Sequence, residues 1–402
     1  MIIGIIGAGA AGMAAALAAS ENSENQILLL ERQARVGRKL AATGNGRCNL
    51  SNIHAEHGGY HGDDPSFSRY AIEQFGPEET LAWFRGLGLY TVTEASGKVY
   101  PYSDQANSVV DVLRFGLERP NIELVTDFEV TRLKKDGNKF LLESKDRTLI
   151  CDKVIVACGG LAGTKLGGTM AGYKLLRSMG HKCTKLRPAL VQVKTGWSGV
   201  SALKGVRANC HAAIYHNGKL HRESEGEIQF TEFGLSGPVV YEISRDACQE
   251  KGNWECTLDF LPGMKTGELK AELNRRRATG LTADDLYTGI LHNRLGRVIV
   301  QNGGLRGRTP VAELTDYELR EAAELAKEFT VTLTEPLGMD AAQVTAGGIV
   351  TGEFDSTTME SLLVPGLYAC GEVLDVDGDC GGYNLQWAWS SGRLAGLSAG
   401  KE

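Results

Sequence analysis

The 402-residue sequence lacks the cysteine spacing of a zinc site or of a disulfide framework. Its nine cysteines are odd in number and none forms a CxxC pair; the nearest neighbours are Cys151 with Cys158 and Cys248 with Cys256. Three histidines occur close together, but the surrounding letters HAEHGGYHGDDP (residues 54–65) are typical of a glycine-rich loop. We therefore expect a solvated loop there and no bound metal.

The sequence also lacks an excess of positive charge and a long hydrophobic run. Its net charge of −6 and its charged fraction of 23% are typical of a globular protein and argue against nucleic-acid binding. The almost uncharged residues 1–19 resemble a signal peptide or anchor, but no Lys or Arg precedes Arg32 and glycines interrupt the run. We expect a cytoplasmic protein of two or three domains that acts on a small-molecule substrate, with neither nucleic acid nor membrane as partner.

Glycine is abundant, at 51 residues, and the first glycines form a dinucleotide-binding fingerprint. An apolar run at 2–6 precedes the letters GAGAAG at 7–12, and a second apolar run at 27–30 ends at Glu31. In such a βαβ motif the first glycine (Gly7) permits the tight turn, the second (Gly9) lets backbone approach a pyrophosphate, and the third (Gly12) lets the helix pack on the sheet. Glu31 is expected to accept hydrogen bonds from a ribose hydroxyl.

A donor-rich segment follows at 36–52, with the letters VGRKLAATGNGRCNLSN. We interpret it as too irregular for a helix or a strand. Its basic, hydroxyl and amide side chains come directly after a nucleotide-binding unit. Such donors suit phosphates and the polar edge of a ring system.

The closing segment predicts a second unit that contacts a cofactor. Residues 365–372, PGLYACGE, are typical of a short buried strand that ends in a glycine and an acid. Glu372 or Asp375 could bind the hydroxyls of a ribityl chain. A helix that starts near Asn384 or Leu385 would direct its positive end at the preceding GGY turn, where it could stabilise negative charge on a reduced flavin.

Between these units the pattern changes twice. Up to about residue 186 helical and strand-like segments alternate, and from about 187 to 250 strand-like runs predict an inserted β-domain. Residues 263–328 are helical and charged, and their Arg275–Arg277 run is interpreted as a solvated face. The chain then returns to the first domain.

Taken together, these motifs resemble a bacterial flavoprotein family, the BaiN-like and YhiN-like FAD-dependent oxidoreductases that include 3-dehydro-bile-acid Δ4,6-reductases. The resemblance spans almost the whole chain and rests on GAGAAG with Glu31, GRKLAATGNGRCNLSN, FTEFGLSGP, TAGGI and GLYACGEVLDVDGDCGGYNLQWAWSSG. It implies an α/β fold: a discontinuous two-dinucleotide-binding (Rossmann-like) FAD domain, interrupted by a β-domain that carries a helical insertion. The expected boundaries are 1–186 and 342–402 for the FAD domain, 187–254 and 329–341 for the β-domain, and 255–328 for the insertion.

The resemblance also implies which residues contact FAD. They belong to the fingerprint, the donor-rich segment, the strand ends and the closing segment: Gly7, Gly9, Ala11, Gly12, Glu31, Arg32, Arg38, Lys39, Thr43, Asn45, Asn49, the backbone near Val130, Ala157, Gly159, Gly371, Glu372, Asp375, Gly382, Asn384 and Leu385. The sequence departs from the family pattern at 167–173, where GGTMAGY lacks the aspartate of a Gly-Ser-Thr-Gly-Asp-Gly-Tyr type run.

By this analogy the implied activity is reduction of an activated C=C bond in an enone or steroid-like (3-oxo bile acid type) substrate. Hydride would come from flavin N5, and NADH or NADPH would be a transient reductant that docks on the flavin, because no second GxGxxG is present. Tyr383 or a backbone N–H could polarise the carbonyl. Cys48 or Cys380 could act as a thiol, although packing is the favoured interpretation of both.

Two alternatives stay open at this point. One is a flavin-dependent oxidase of a small amine that uses O2. The other is a non-enzymatic flavin-bound or RNA-associated protein, which the negative net charge disfavours.

Overall fold

The computed structural model describes residues 1–401 as two compact units. Residues 1–188 and those from 343 onward form the first unit, and Ala189–Ala342 form the second. The first unit is therefore discontinuous in sequence. Among residues 1–401, no helix combines the length and the apolar composition that crossing a membrane would require.

The helices and strands alternate along the first segment of the chain. In order they are β1 (Ile2–Ile6), α1 (Ala10–Ala19), β2 (Gln26–Leu30), α2 (Arg38–Ala42), β3 (Ser51–Asn52), β4 (Tyr60–His61), α3 (Arg69–Gln74), α4 (Pro77–Gly86), β5 (Thr91–Thr93), β6 (Lys98–Pro101), α5 (Ala106–Gly116), β7 (Ile122–Val125), β8 (Arg132–Asp136), β9 (Lys139–Glu143), β10 (Thr148–Cys151), β11 (Lys153–Val156) and α6 (Ala171–Ser178).

The remaining elements belong to the later part of the chain. They are β12 (Arg187–Ala189), β13 (Val193–Thr195), β14 (Arg207–His216), β15 (Lys219–Phe230), β16 (Gly234–Ser236), α7 (Pro238–Ser244), β17 (Trp254–Asp259), α8 (Thr266–Arg275), α9 (Asn293–Asn302), α10 (Asp316–Lys327), β18 (Phe329–Pro336), β19 (Val344–Ala346), β20 (Leu367–Ala369), β21 (Asp377–Gly378) and α11 (Tyr383–Ala399).

A five-stranded parallel sheet, in the order β20-β11-β1-β2-β7, organises the first unit. Its central strands are mostly buried and rich in Ile, Leu and Val, as is usual for parallel sheets covered by helices. Because parallel strands point the same way, β1, β2, β11 and β20 all end at one edge. The strand order reverses at β1, so the loop after β1 lies at the switch point where such sheets bind ligands.

Small residues bring α1 and α11 into close contact. A Cβ atom at Gly392 would lie 2.4 Å from the carbonyl oxygen of Ala11, and one at Gly396 would lie 2.3 Å from that of Ala15. Every α1 residue except Ala10 is buried. The first helix of the fingerprint is therefore covered by the helix that follows the closing segment.

The second unit is built on a closed barrel in the order β13-β16-β15-β14-β17-β18. Helices α8, α9 and α10 are inserted between β17 and β18, and their buried residues join the core of the barrel. A parallel-sheet Rossmann-like unit with an inserted β-barrel that carries helices confirms the expected fold class. The exact domain boundaries stay a prediction.

The expectation for residues 36–52 was wrong in part, because they contain α2, a 3₁₀ turn at Thr43–Gly46 and β3. Helix α2 is only five residues long and buries only Leu40, so no periodic pattern marks it. Gly37, with φ of 65°, starts the helix where a Cβ would lie 3.1 Å from the side chain of Val110 on α5. The start of α2 therefore packs closely on α5, a contact between segments that are distant in sequence.

Candidate functional site

The fingerprint loop lies at the carboxyl edge of the parallel sheet. Gly7 has φ of 106°, and a Cβ there would lie 2.6 Å from the carbonyl oxygen of Ala157 at the end of β11. A Cβ at Gly12 would lie 1.8 Å from the carbonyl oxygen of Gly7. At Gly9, by contrast, a Cβ would have no atom of residues 1–401 within 4 Å apart from those of its chain neighbours and of its own helix. The loop is thus closely packed on the protein side and open in front of Gly9.

The N-terminus of the ten-residue helix α1 opens beside Gly9. No side chain caps this N-terminus, and no acidic residue occupies the first turn of the helix. Ala11, one of the residues expected to contact FAD, lies in that turn. The first N–H groups of a helix have no partner within the helix, and together with the helix dipole they attract anions. The arrangement suits a phosphate group.

Glu31 is fixed next to this loop. Its Oε2 accepts a hydrogen bond from the N–H of Ala8 at 3.0 Å, and its Oε1 accepts one from the N–H of Gln33 at 2.9 Å. The carbonyl oxygen of Glu31 accepts from the N–H of Phe128 at 2.8 Å, which brings the buried Val130 near the same strand end. The fold therefore brings together the residues predicted to bind the adenosine part of a dinucleotide.

Lys39 and Glu372, which are 333 positions apart in sequence, form an ion pair at the same edge. Nζ of Lys39 donates to Oε2 of Glu372 at 2.7 Å, and the N–H of Thr345 donates to Oε1 at 2.8 Å. A Cβ at Gly160 would lie 2.4 Å from Oε1. Both carboxylate oxygens of Glu372 are thus held by protein groups, and the pair fixes α2 to the segment after β20.

Arg32 and most other predicted polar residues up to the end of the donor-rich segment also bond to protein. Nη2 of Arg32 donates to the carbonyl oxygen of Gly167 at 2.9 Å, and Nη1 of Arg38 donates to Oε1 of Gln33 at 2.7 Å. The hydroxyl of Thr43 donates to the carbonyl oxygen of Leu40 at 2.7 Å. Asn45 adopts a left-handed conformation with φ of 56°.

Asn49 differs from these residues. Its Oδ1 is buried and, among residues 1–401, has no hydrogen-bond partner. A buried carbonyl oxygen without a partner carries a free-energy cost, so such an atom indicates a ligand or water that would complete its hydrogen bonds.

The closing segment meets the donor-rich segment at the start of α11. A Cβ at Gly382 would lie 2.3 Å from the carbonyl oxygen of Ser51 in β3, and one at Gly371 would lie 2.8 Å from Cβ of Ala11. The amide of Asn384 exchanges hydrogen bonds with Gly378 at 2.7 and 2.8 Å, and Leu385 packs partly buried against the core. These contacts place the N-terminus of α11 at the carboxyl edge of the sheet.

Asp375 is the buried acid of this segment. Its Oδ2 accepts from the N–H of Asp63 at 3.3 Å. Burial raises the pKa of Asp375 above its usual range, and the nearby Asp63 and Asp377 carboxylates add to the shift. Removal from water therefore favours its protonated form.

Tyr383, the first residue of α11, belongs to a group of proton-bearing side chains. Its ring meets that of Tyr60 edge-to-face, with centroids 6.0 Å apart, and the Tyr60 hydroxyl is buried. Burial raises the pKa of Tyr60, and electrostatic interactions with Tyr383 and Asp379 raise it further. Nε2 of His61 lies 2.7 Å from Oδ1 of Asp379, and a Cβ at Gly59 would lie within 3.0 Å of both Asp379 and Tyr383.

Sequence reasoning found Tyr383 but missed the His61–Asp379 pair. His61 was considered only for metal binding, and its partner lies 318 positions away. The pair forms because β4 and β21 are neighbouring antiparallel strands, with His61 opposite Asp377. Among residues 1–401, no group of three or more His, Cys, Asp or Glu side chains is arranged to hold a metal ion.

The structure gives Cys48 the surroundings of a packing residue. Its side chain is fully buried, and this burial raises the pKa of the thiol to about 12. Because the thiolate is the reactive form, such a cysteine is a poor nucleophile near neutral pH. The structure describes all nine cysteines, Cys380 included, and joins none of them in a disulfide bond.

A second polar cluster, which sequence reasoning missed, surrounds His181. Its Nδ1 lies 3.0 Å from Oε2 of Glu353 and its Nε2 lies 2.9 Å from Oγ of Ser361. The ring stacks on Phe354 with centroids 4.4 Å apart. Burial lowers the pKa of His181, and the Glu353 carboxylate opposes this shift only in part.

We expect His181 to make stability fall in acid. The pKa of His181 is lower in the folded protein than the value of about 6.5 expected in the unfolded chain. The contribution of neutral His181 to the free energy of unfolding is therefore complete above about pH 6.5, and it is lost as the pH falls from there towards the folded pKa. The loss is at most about 1.4 kcal/mol per pH unit. Urea unfolding at a series of pH values should show a steeper acid loss for the wild type than for His181→Asn. The exposed His57 gives the control, His57→Asn, which should follow the wild type; equal slopes for all three proteins would contradict the prediction.

Comparison with known proteins agrees with this geometry. Residues 1–398 match the family model described as HI0933-like protein Rossmann domain. The chain is 39% identical to a 3-dehydro-bile acid delta(4,6)-reductase from Clostridium scindens, over 99% of this chain and 98% of the relative. It is 33% identical to a ribosomal RNA dihydrouridine synthase from Escherichia coli, over 96% of this chain and 95% of the relative.

A solved structure supports the fold alone. The 3-ketosteroid delta1-dehydrogenase from Sterolibacterium denitrificans aligns with a TM-score of 0.53 and 12% identity, over 99% of each chain. The family model matches almost the whole chain, and the relatives have a similar length. These matches confirm the resemblance to the flavoprotein family that the sequence motifs indicated. The chain belongs to the HI0933-like Rossmann domain family.

Proposed function

We propose that this protein is an FAD-dependent oxidoreductase that uses NADH or NADPH to reduce a C=C bond conjugated to a carbonyl, in an enone or a steroid-like substrate. The observation that carries the proposal is the open space in front of Gly9, at the uncapped N-terminus of α1 and next to Glu31. The Clostridium scindens relative is named as a reductase, which supports the direction of the reaction.

The residues at the carboxyl edge fit FAD. The protein leaves free the positions that a Cβ would take at Gly9 and at Gly159, which allows a ligand to approach both backbones. The buried Oδ1 of Asn49 offers an acceptor for a ring N–H. Amides of α1 would hold the pyrophosphate and Glu31 the ribose. The other contacts expected from the sequence stay proposals.

When bound, FAD supplies the acceptance and the donation of hydride. The chain's own residues would orient it and set the charge around it. The 17-residue helix α11 directs its positive end at the turn before Tyr383, which favours negative charge there. Tyr383 would donate a hydrogen bond to the substrate carbonyl, or a proton to the neighbouring carbon.

A second candidate substrate is uracil within RNA. The Escherichia coli relative is named as a ribosomal RNA dihydrouridine synthase. Uracil contains a C=C bond conjugated to a carbonyl, so reduction of its ring is the same kind of reaction as reduction of an enone. The same reducing site would therefore serve either substrate, and the choice depends on what the surface beside it binds.

Anaerobic stopped-flow spectroscopy of the purified holoprotein tests the proposal. NADH or NADPH should bleach the oxidised-flavin absorbance, and a Δ4-3-ketosteroid or a uridine-containing RNA should restore it. Persistence of oxidised flavin with both nicotinamides would contradict the reductase. Restoration of colour by O2 alone, with a primary amine as the best reductant, would favour the oxidase alternative and overturn the proposal.

A further inference from the structure

One stretch of the sequence, residues 153–222, is strongly basic although the whole protein has a negative net charge. Residues 153–222 contain no Asp or Glu but twelve Lys or Arg, although acids outnumber these bases by 49 to 43 over the whole chain. The rest of the molecule is therefore strongly acidic. Where such cations stay unpaired at the surface, they create a local positive potential.

The basic residues of this stretch that lie in the barrel unit are largely paired. Lys194 pairs with Glu335, Lys204 with Glu232, and Arg222 with Asp246, at distances of 2.6 to 3.0 Å. Surface pairs of this kind neutralise charge locally without adding much stability. These paired cations therefore add little free positive charge to the barrel unit.

In the Rossmann-like unit the situation is different. Four exposed side chains on α6 and the loop after it make no hydrogen bond or ion pair with residues 1–401. We call this set the cationic face, and it consists of Lys174, Arg177, Lys182 and Lys185. Lys174 and Arg177 are three positions apart on α6 and so lie on one side of the helix, where like charges are mildly destabilising. The arrangement persists despite that cost.

Two of the four residues of the cationic face border an open cleft of about 540 Å³. Arg177 and Lys182 line it together with Met170, Thr184 and Leu186. The carboxyl of Asp375 and the side chain of Arg177 both lie near Cys183, another lining residue. The cleft thus adjoins the segment that follows Glu372 at the carboxyl edge.

The backbone that presents these cations is fixed. The N–H of Lys182 donates to Oε2 of Glu353 at 2.9 Å, and the N–H of Thr184 donates to the carbonyl oxygen of Gly348 at 2.8 Å. Flexible cationic side chains on a rigid backbone are the usual means by which proteins bind phosphates without reading bases.

We propose that the cationic face binds the phosphate backbone of a single-stranded RNA segment whose uracil is the substrate. This inference rests on the second candidate under the proposed function. One carboxylate on a small molecule needs one or two cations, whereas four unpaired cations along a helix and a loop match the repeated charges of a polyanion. The acidic remainder of the surface would repel RNA, so binding is restricted to this face.

Fluorescence anisotropy with a labelled single-stranded oligouridylate, measured on the holoprotein over a salt series, tests the inference. The test variant replaces all four cationic-face residues with Gln. Each lost phosphate contact reduces the slope of log affinity against log salt by about 0.7, so the slope should fall by roughly 3. The affinity at low salt should fall more than about tenfold, which corresponds to about 1.4 kcal/mol.

A charge-matched control separates a local site from net charge. Lys145, Lys219, Lys251 and Lys265 are exposed and lie outside the cationic face, and their joint replacement with Gln changes the net charge equally. The control should keep the wild-type affinity and slope. Equal losses in both variants, or none in either, would overturn the inference. Retained flavin content and melting temperature show that the test variant is folded.

Two further outcomes keep this inference distinct from the proposed function. If the test variant raises KM for a carboxylate-bearing enone while oligouridylate binding is unchanged, the face binds a small anion and the inference fails. If the wild type binds oligouridylate through the face but nicotinamide reduces no flavin, the inference stands and the proposed function fails.

Discussion

Gly12→Ala is expected to prevent folding of the Rossmann-like unit, whereas Gly9→Ala is expected to leave the fold intact and to weaken FAD binding about a hundredfold. At Gly12 the new Cβ would lie 1.8 Å from the carbonyl oxygen of Gly7. Both atoms belong to backbone that packing fixes, since Gly7 also contacts the end of β11. Relief would require α1 to move away from the sheet, at a cost above about 4 kcal/mol.

At Gly9 the added methyl group would clash with no other part of residues 1–401. Gly9 is the N-cap of α1 with φ of −84°, which alanine adopts readily, so the expected cost in stability is below about 1 kcal/mol. The methyl group would instead occupy the space proposed for the pyrophosphate. A loss of about 3 kcal/mol in binding corresponds to roughly a hundredfold weaker FAD affinity.

Flavin content after purification, FAD titration of the cofactor-free protein and its urea-unfolding midpoint measure these effects. Gly9→Ala should have a wild-type midpoint and little bound flavin, and Gly12→Ala should be insoluble or unfolded. A Gly9→Ala protein that keeps its full flavin content would show that the pyrophosphate does not lie in front of α1.

Tyr383→Phe is expected to slow the return of flavin colour with an enone by about 10²–10⁴-fold, the range typical of a lost general acid. The ring stays in place, because its contacts with Tyr60 and Gly59 involve carbon atoms. Bleaching by nicotinamide should be unchanged, since hydride transfer to FAD needs no proton from Tyr383.

The matched control for this substitution is Tyr102→Phe, because Tyr102 is 76% exposed. Single-turnover reoxidation over a pH series gives the decisive measurement. A proton donor would shape the pH profile with the enone and leave reoxidation by O2 unaffected. If Tyr383→Phe slows both acceptors equally, Tyr383 acts through structure, and the proton must come from another group.

The parts of the fold that depend on neighbours in sequence were predictable. The fingerprint joins a glycine turn, a helix and an acid within 31 residues, and hydrogen bonds local to that βαβ unit fix it. The final helix starts at Tyr383, one residue before the expected position. The fingerprint and the closing segment each combine a short apolar strand with a glycine turn. Patterns of this kind can be recognised from the order of residues alone.

The parts that depend on distant pairings were not predictable. The Lys39–Glu372 ion pair and the His61–Asp379 pair each join residues more than 300 positions apart. Helix α2 begins against Val110 of α5, and the surroundings of His181 come from Glu353 and Ser361. Such contacts follow from which strands become neighbours, and an unaligned sequence carries little information about that choice.

The close packing of α1 on α11 has a consequence for biosynthesis. Asn25, just before β2, donates to the carbonyl oxygen of Gly400, 375 positions later. While the ribosome is still making the barrel, α1 and its almost wholly apolar surface have no partner. Contacts so distant in sequence form slowly, and exposed apolar surface favours aggregation in the meantime. The nascent fingerprint is therefore expected to depend on chaperones, and FAD to be taken up only after translation has passed α11.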